Sequence, residues 1–240
     1  MARIREPAFA RTDHLKEAKA MTPQQAALIV IETITAMAQE HKPLMLRVVP
    51  EDGATFWTHY PKGDARDKHC QSRWYYHVHA AGNRDEDEHG HFHLFLHRTQ
   101  LSDGLVPKVW PPQGEDAKAH VTHLIALSIA NSGVPRAWFA TNRFVTNEFL
   151  YPADVIIDHM PDFNVDATRE DDLVNRFVTA MVALYRDEIA DLLRQRDARQ
   201  EQLVAEHGEA AYEQASGIEV LAQIPIDLDA KIASLNLEID

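Results

Sequence analysis

The sequence predicts an α+β fold. One antiparallel sheet of about five strands, open or curled toward a barrel, is covered by an N-terminal helix and a long C-terminal helix. Three observations carry this. Apolar residues recur near every 3.6 positions at both ends of the chain and near every second position in the middle. The middle runs are rich in aromatic and β-branched residues. Glycine, proline, asparagine and aspartate separate them, as hairpin connections require.

Residues 1–22 are polar with little apolar periodicity and read as an arm. Thr22-Pro23 is a helix start, because threonine caps and proline is tolerated at the first helical position. From Ala26 to Glu40, residues Ala27, Ile29, Ile31, Ile34, Met37 and Ala38 lie near a helical repeat that ends at His41-Lys42-Pro43.

Five strands are predicted next. Ala54 to Tyr60 is the first. Arg73 to Ala80 and Gly90 to Arg98 form a hairpin across an acidic connector, residues 81–88. His59 precedes a Pro61-Lys62-Gly63-Asp64 turn. Val121 to Ala130 and Arg136 to Val145 flank Asn131-Ser132-Gly133-Val134-Pro135, a second hairpin signal; helix is the alternative for 117–130, where alanine is frequent. From Asp171 to Glu206, Leu173, Phe177, Met181, Leu184, Ile189, Leu192 and Leu193 keep helical spacing. This is one helix, or two broken between Gln195 and Arg199. A last helix folding back is expected over Ile218 to Leu235. The organisation is therefore an arm (1–22), a helix-plus-sheet domain (23–165) and a helical region packed on that domain (166–240).

Bulk properties exclude several classes of function. With 240 residues the chain buries a proper core. Its formal net charge of −13 argues against nucleic acid and against an anionic membrane surface as partners. No signal peptide or spanning stretch is seen, and the single cysteine, Cys70, rules out an internal disulfide framework. A cytoplasmic location is the default expectation, with a small-molecule substrate and no membrane. The long charged helix offers a surface for a homodimer.

Six of the fourteen histidines fall between residues 77 and 97, a concentration that composition alone does not produce. Side chains on a strand alternate faces. Trp74, Tyr76 and Val78 then share one face, and Tyr75, His77 and His79 the other. On the partner strand Phe92, Leu94 and Leu96 oppose His91, His93, Phe95 and His97. If the apolar faces share a core, the histidines share the opposite face, looking into a cleft. A hairpin then gathers His77, His79, His91 and His93 around one point.

Neutral imidazole is a good ligand for iron, zinc, copper and nickel. Three histidines with an open position suit catalysis; four closing the sphere suit a structural or storage site. The plain alternative is that a solvent-facing strand needs polar residues and histidine is one. His89 and His97 lie further from the centre and read as surface or supporting residues. His123 shares its predicted face with Ile125, Leu127 and Ile129 and reads as a hydrogen-bonded core histidine. His120 and His159 read as surface, and Cys70 is too isolated for a nucleophile. Glu88 and Tyr75 are the candidate catalytic side chains. Glu88 is placed to orient a ring or move a proton, and Tyr75 shares the histidine face. His59 and Asp64 stand near enough in sequence to contribute.

The blocks His59-Tyr60-Pro61-Lys62-Gly63-Asp64, Tyr75-Tyr76-His77-Val78-His79 and Glu88-His89-Gly90-His91-Phe92-His93 resemble an uncharacterised bacterial family of unknown function. Thr141-Asn142-Arg143-Phe144-Val145-Thr146 and Tyr151-Pro152-Ala153-Asp154 are similar to its later blocks. The likeness runs over roughly residues 50–190 and implies that Glu88 and the four histidines act as a unit, without supplying a mechanism. The His-x-His pattern is also similar to that of cupin barrels, but the glutamate expected soon after it is missing; the analogy is architectural only.

The function predicted is a mononuclear metalloenzyme. Fe(II) is the first choice of divalent metal and Zn(II) the second, with an oxidoreductase ahead of a hydrolase. A non-catalytic metal sensor or carrier, and a metal-free interaction module with a polar histidine face, are the alternatives. No phosphate-cradling loop, dinucleotide fingerprint or nucleophile elbow is present to name another chemistry.

Overall fold

The structure is a computed structural model that describes residues 20–80, 85–208 and 217–237. The arm expected over 1–22 lies outside the described residues except for residues 20–22, and so do residues 81–84 of the acidic connector.

Helix α1 (Pro23–Gln39) starts where the capping signal places it. Thr22 Oγ1 accepts from the Gln25 N–H at 3.2 Å, and Gln25 Oε1 accepts from the Thr22 N–H at 3.0 Å. Its buried stripe is Ala26, Ala27, Val30, Thr33 and Met37. This is rotated from the expected face: Ile29 and Ile31 are only partly buried and Ile34 is exposed. A short helix α2 (Leu44–Val48) follows.

Among the described residues six strands form one open antiparallel sheet in sequence order: β1 (Tyr60–Arg66), β2 (Arg73–His77), β3 (Glu88–His97), β4 (Val121–Ala130), β5 (Pro135–Thr141) and β6 (Val220–Pro225). The edges β1 and β6 do not meet, so the sheet does not close into a barrel.

The first strand is displaced from its predicted position at Ala54 to Tyr60. Trp57 adopts φ 64, which no continuous strand tolerates, so 54–59 is a turn and pairing begins at Tyr60. The Pro61-Lys62-Gly63-Asp64 turn is a bulge inside β1. Gly63 (φ 92) and Asp64 (φ 60) loop out, and the register jumps from Tyr60↔Tyr76 to Ala65↔Trp74.

The 131–134 turn joins β4 to β5 as predicted, with Ala130 N–H donating to Val134 O at 2.9 Å, and the helical alternative for 117–130 is not realised. The strand expected to reach Val145 stops at Thr141. There the backbone N–H of buried Asn142 donates to Glu219 O and its side chain to Ile218 O, after which α3 (Arg143–Thr146) forms. Helix α4 (Ala153–His159) follows.

The helical pattern from Asp171 to Glu206 is two helices, α5 (Asp172–Leu184) and α6 (Arg186–His207). The break falls at Tyr185 (φ −105, ψ 23), not between Gln195 and Arg199. The tail is not helical throughout. Its first half is β6, which pairs along β5 with Trp138↔Ile224 and Ala140↔Ala222, and only α7 (Leu228–Ala233) is helix.

One face of the sheet carries Trp74, Tyr76, Phe92, Leu94, Leu127 and Trp138 into the main core with α1, α5 and α6. The Trp74 indole N–H donates to Asn175 Oδ1 of α5 at 3.0 Å, satisfying two buried polar groups. Every residue of β2 is buried, on both faces. The second face therefore has its own cover, and on it stand the histidines. Among the described residues no helix is long and apolar enough to cross a membrane.

Candidate metal centre

The β2–β3 register sets the cluster. His77 faces His91 and Tyr75 faces His93 as direct cross-strand partners. These side chains are 8%, 3%, 6% and 0% exposed for His77, His91, Tyr75 and His93, far too buried for a solvated polar face. One ligand nitrogen from each of His77, His91 and His93 lies within 4.8 Å of the others. His77 Nε2 and His91 Nε2 are 2.7 Å apart, and His79 Nε2 is 3.2 Å from His77 Nε2. β2 ends at His77, so His79 lies beyond the strand predicted to carry it, yet its ring still joins the group.

Gly90 lets the hairpin close. A Cβ there would fall 2.6 Å from Tyr76 Oη and closer still to the His77 carbonyl oxygen, so no other residue fits without moving a strand.

Two bulges add residues that plain alternation puts on the wrong face. The β3–β4 register passes from Glu88↔Ala130 to Gly90↔Ile129, leaving His89 as an extra residue. That reverses the alternation and turns Glu88 onto the face of His91. Glu88 Oε1 lies 2.9 Å from His91 Nδ1, and Oε2 accepts from Ser128 Oγ at 2.5 Å. A carboxylate accepting from Nδ1–H leaves the His91 Nε2 lone pair directed into the cluster. Further along, Leu94↔Ile125 is followed by Phe95↔His123, so Leu124 is extra on β4. Leu124 drops into the core, and His123 leaves the predicted apolar face for the histidine face. Its Nε2 stands 3.0 Å from His93 Nδ1, while its Nδ1 is 3.4 Å from Thr141 Oγ1.

His93 is the most telling member. It is fully buried, its Nδ1 is engaged by His123, and its Nε2 has no hydrogen-bond partner among the described residues. A buried nitrogen left bare is costly unless something else occupies its lone pair. Burial also fixes the protonation. It pushes His77 down to about 2, with repulsion from His91 and His79 adding to the effect. It holds His93 well below the ordinary histidine range, again with neighbouring rings assisting. Burial puts His123 at about 3, assisted by the Arg196 charge. These imidazoles are neutral at pH 7, the form that binds metals. A buried group of neutral nitrogen donors, one of them bare and two oriented through their second nitrogens, fits a metal ion.

The other sequence candidates fall around this centre. Tyr75 stacks under His59 (centroids 3.7 Å apart) and lies 4.9 Å from His93; burial raises its phenol pKa. His59 also approaches Asp64, at 3.4 Å. His89 points to the Tyr76 hydroxyl (2.7 Å), outside the cluster. His97 closes a turn onto Thr99, and Cys70 Sγ donates to Asn164 O. His159 Nδ1 donates to Val155 O. None of these last four reaches the cluster.

Sequence reasoning missed three neighbours of the centre. Ser128 carries no motif and is found only from the register. Trp57, with its indole 4.4 Å from the His79 ring, was hidden in the segment read as a strand. Glu148 lines a small cavity of about 20 Å³ with Thr122, His123, Thr141 and Arg196; burial pushes its carboxyl up to about 8.

No curated protein and no solved structure matches the chain. A family model matches residues 24–226, nearly the whole chain, and its description is a domain of unknown function, DUF6969. The chain belongs to that uncharacterised family.

Proposed function

We propose that this protein holds a single divalent metal ion on His77, His91 and His93, and that it is a metal-dependent enzyme acting on a small molecule. The observation that carries the reading is the buried trio itself, one nitrogen from each of His77, His91 and His93 lying inside 4.8 Å, in which fully buried His93 keeps a bare Nε2. A purely structural histidine cluster has no reason to bury a nitrogen without a partner.

Three neutral imidazoles leave the charge of a divalent ion undiminished, so the ion supplies Lewis acidity at that point. Fe(II) is the first choice and Zn(II) the second, with oxidoreductase chemistry ahead of hydrolysis. The chain's own residues set up the site. Glu88 fixes the tautomer of His91 and is itself held by Ser128. His123 fixes His93 through Nδ1. Tyr75, whose ring is buried beside His93, keeps a protonated phenol that can donate a hydrogen bond.

Protein purified untagged and without chelator is expected to carry about one metal ion per chain. A His77→Ala/His91→Ala variant is expected to carry none while keeping its fold by circular dichroism. Wild-type protein below about 0.2 ion per chain after incubation with Fe(II) or Zn(II) refutes the proposal.

His79 supports a second reading. Its Nε2 lies 3.2 Å from His77 Nε2, close enough to close a four-nitrogen sphere, which suits a carrier or structural site. Azide added to the Co(II)-loaded protein separates the two. A changed visible spectrum needs an open position and supports the enzyme; an unchanged one supports the closed site.

A further inference from the structure

Beside the cluster stands an apolar shelf that metal binding alone does not use. Phe56 and Trp57 are adjacent, and each is 54% exposed. One exposed aromatic is ordinary, but here the backbone is held in an unfavourable conformation to present it. Trp57 has φ 64, the left-handed region, which a bulky residue enters only where its surroundings impose it. Three bonds impose it. Trp57 N–H donates to Val78 O at 3.1 Å, Thr58 N–H to Thr55 O at 3.3 Å, and Thr55 N–H to the Tyr60 hydroxyl at 2.7 Å. The turn is thereby tied to the end of β2, next to the cluster.

The rings of this rim face the candidate ligands. The Trp57 indole meets His79 edge-on at 4.4 Å and His77 at 6.3 Å. His59, its side chain 45% exposed, stacks flat on Tyr75 and stands 5.9 Å from His77. The solvent side of His77 is therefore bordered by planar rings, with Phe56 next to Trp57 in sequence. Two half-exposed side chains offer far less than the roughly 800 Å² per partner of a stable protein interface, so a small ligand suits the patch better than a protein surface.

We infer that this rim binds a planar aromatic ring whose donor head group reaches the ion on His77, His91 and His93. The inference rests on the metal reading of that site. Aromatic rings at such separations attract one another in offset and edge-to-face arrangements. A ring seated on the indole also excludes water from the head group beneath it. The substrate class is accordingly a small aromatic molecule carrying an oxygen or nitrogen chelating group.

The test uses two probes with one head group. Full-length protein loaded with Zn(II) is titrated calorimetrically with acetohydroxamate and with benzohydroxamate. The phenyl probe is expected to bind about tenfold tighter. In a Phe56→Ala/Trp57→Gly variant the two affinities should fall within about twofold of each other, with acetohydroxamate little changed. Glycine accepts the left-handed backbone, so this variant does not strain the turn. Equal affinities in the wild type overturn the aromatic inference and leave the metal reading intact. Loaded protein that binds neither probe shows no open position and overturns both the inference and the enzyme reading. Protein that takes up no metal overturns the metal reading itself. Self-association of the wild type that the double variant abolishes, seen by sedimentation velocity, makes the patch an interface between copies and also overturns the inference.

Discussion

Glu88→Gln is the sharpest perturbation of the centre short of removing a ligand. The Glu88 side chain is 2% exposed, with one oxygen 2.9 Å from His91 Nδ1 and the other accepting from Ser128 Oγ. Glutamine keeps the size and can still accept one of those bonds, so the hairpin should survive. What it loses is the negative charge that fixes the His91 tautomer and raises its basicity. Losing such a partner weakens metal affinity by about 10–100-fold. The effect can be read through stability. At free metal equal to 100 times the wild-type Kd, binding adds about 2.7 kcal/mol to folding. At the same metal concentration a tenfold weaker site adds about 1.4 kcal/mol and a hundredfold weaker one about 0.4 kcal/mol. For a chain of this length 1 kcal/mol moves Tm by roughly 3 °C. The metal-induced rise in Tm should therefore drop from about 8 °C to about 1–4 °C. Calorimetry in a metal-buffered solution measures it, each protein against its own metal-free scan. An undiminished rise in the variant would show that Glu88 does not support His91, and the role assigned to the His89 bulge would fail with it.

Other predictions follow from the same geometry. His123→Leu removes the partner of His93 Nδ1 and should weaken metal binding about tenfold or more, measured by competition with a chromogenic chelator. Gly90→Ala drives a methyl into Tyr76 and the His77 carbonyl and should cost about 2 kcal/mol or more by denaturant unfolding, while lowering metal occupancy. Glu148→Gln tests the buried carboxyl. Its pKa is raised from an ordinary 4.5 to about 8, so the folded state holds a proton that the unfolded chain gives up, and stability is lost as pH rises from about 4.5 through 8. The variant lacks that loss. Its stability relative to wild type should grow by ~3 kcal/mol between pH 5 and pH 8, and a difference independent of pH would contradict the burial assigned to Glu148.

Much of the fold was legible where one local signal acts alone. The Thr22-Pro23 capping signal started α1 correctly, period-two alternation found β2 and β3 and named their core-facing residues, and the turn signal at 131–135 marked β4. The failures arose where a longer-range contact decides. The aromatic run at 54–60 looks extended, but the bond from Trp57 N–H to Val78 O bends it into a turn. In the tail, Ile218, Val220, Ala222 and Ile224 alternate as a strand would, a signal masked by its brevity and resolved only by pairing with β5. The break at Tyr185 carries no glycine or proline and left no mark in the sequence.

The site divides along the same line. His77, His91 and His93 followed from alternation, because a regular ladder places them and nothing interrupts it. His123 and Glu88 occupy their positions through bulges, each of which reverses the alternation that sequence reasoning depends on. Gly90 beside His89 was the one available cue for the first bulge. Leu124, an ordinary apolar residue, gave none for the second.

A crystal of metal-soaked protein measured on both sides of the metal absorption edge shows whether the histidines hold an ion. One anomalous peak per chain is expected, about 2.0–2.2 Å from nitrogen atoms of His77, His91 and His93, with the His93 bond made through Nε2. A cluster empty of anomalous density, or a peak held by surface carboxylates elsewhere, would contradict the metal reading.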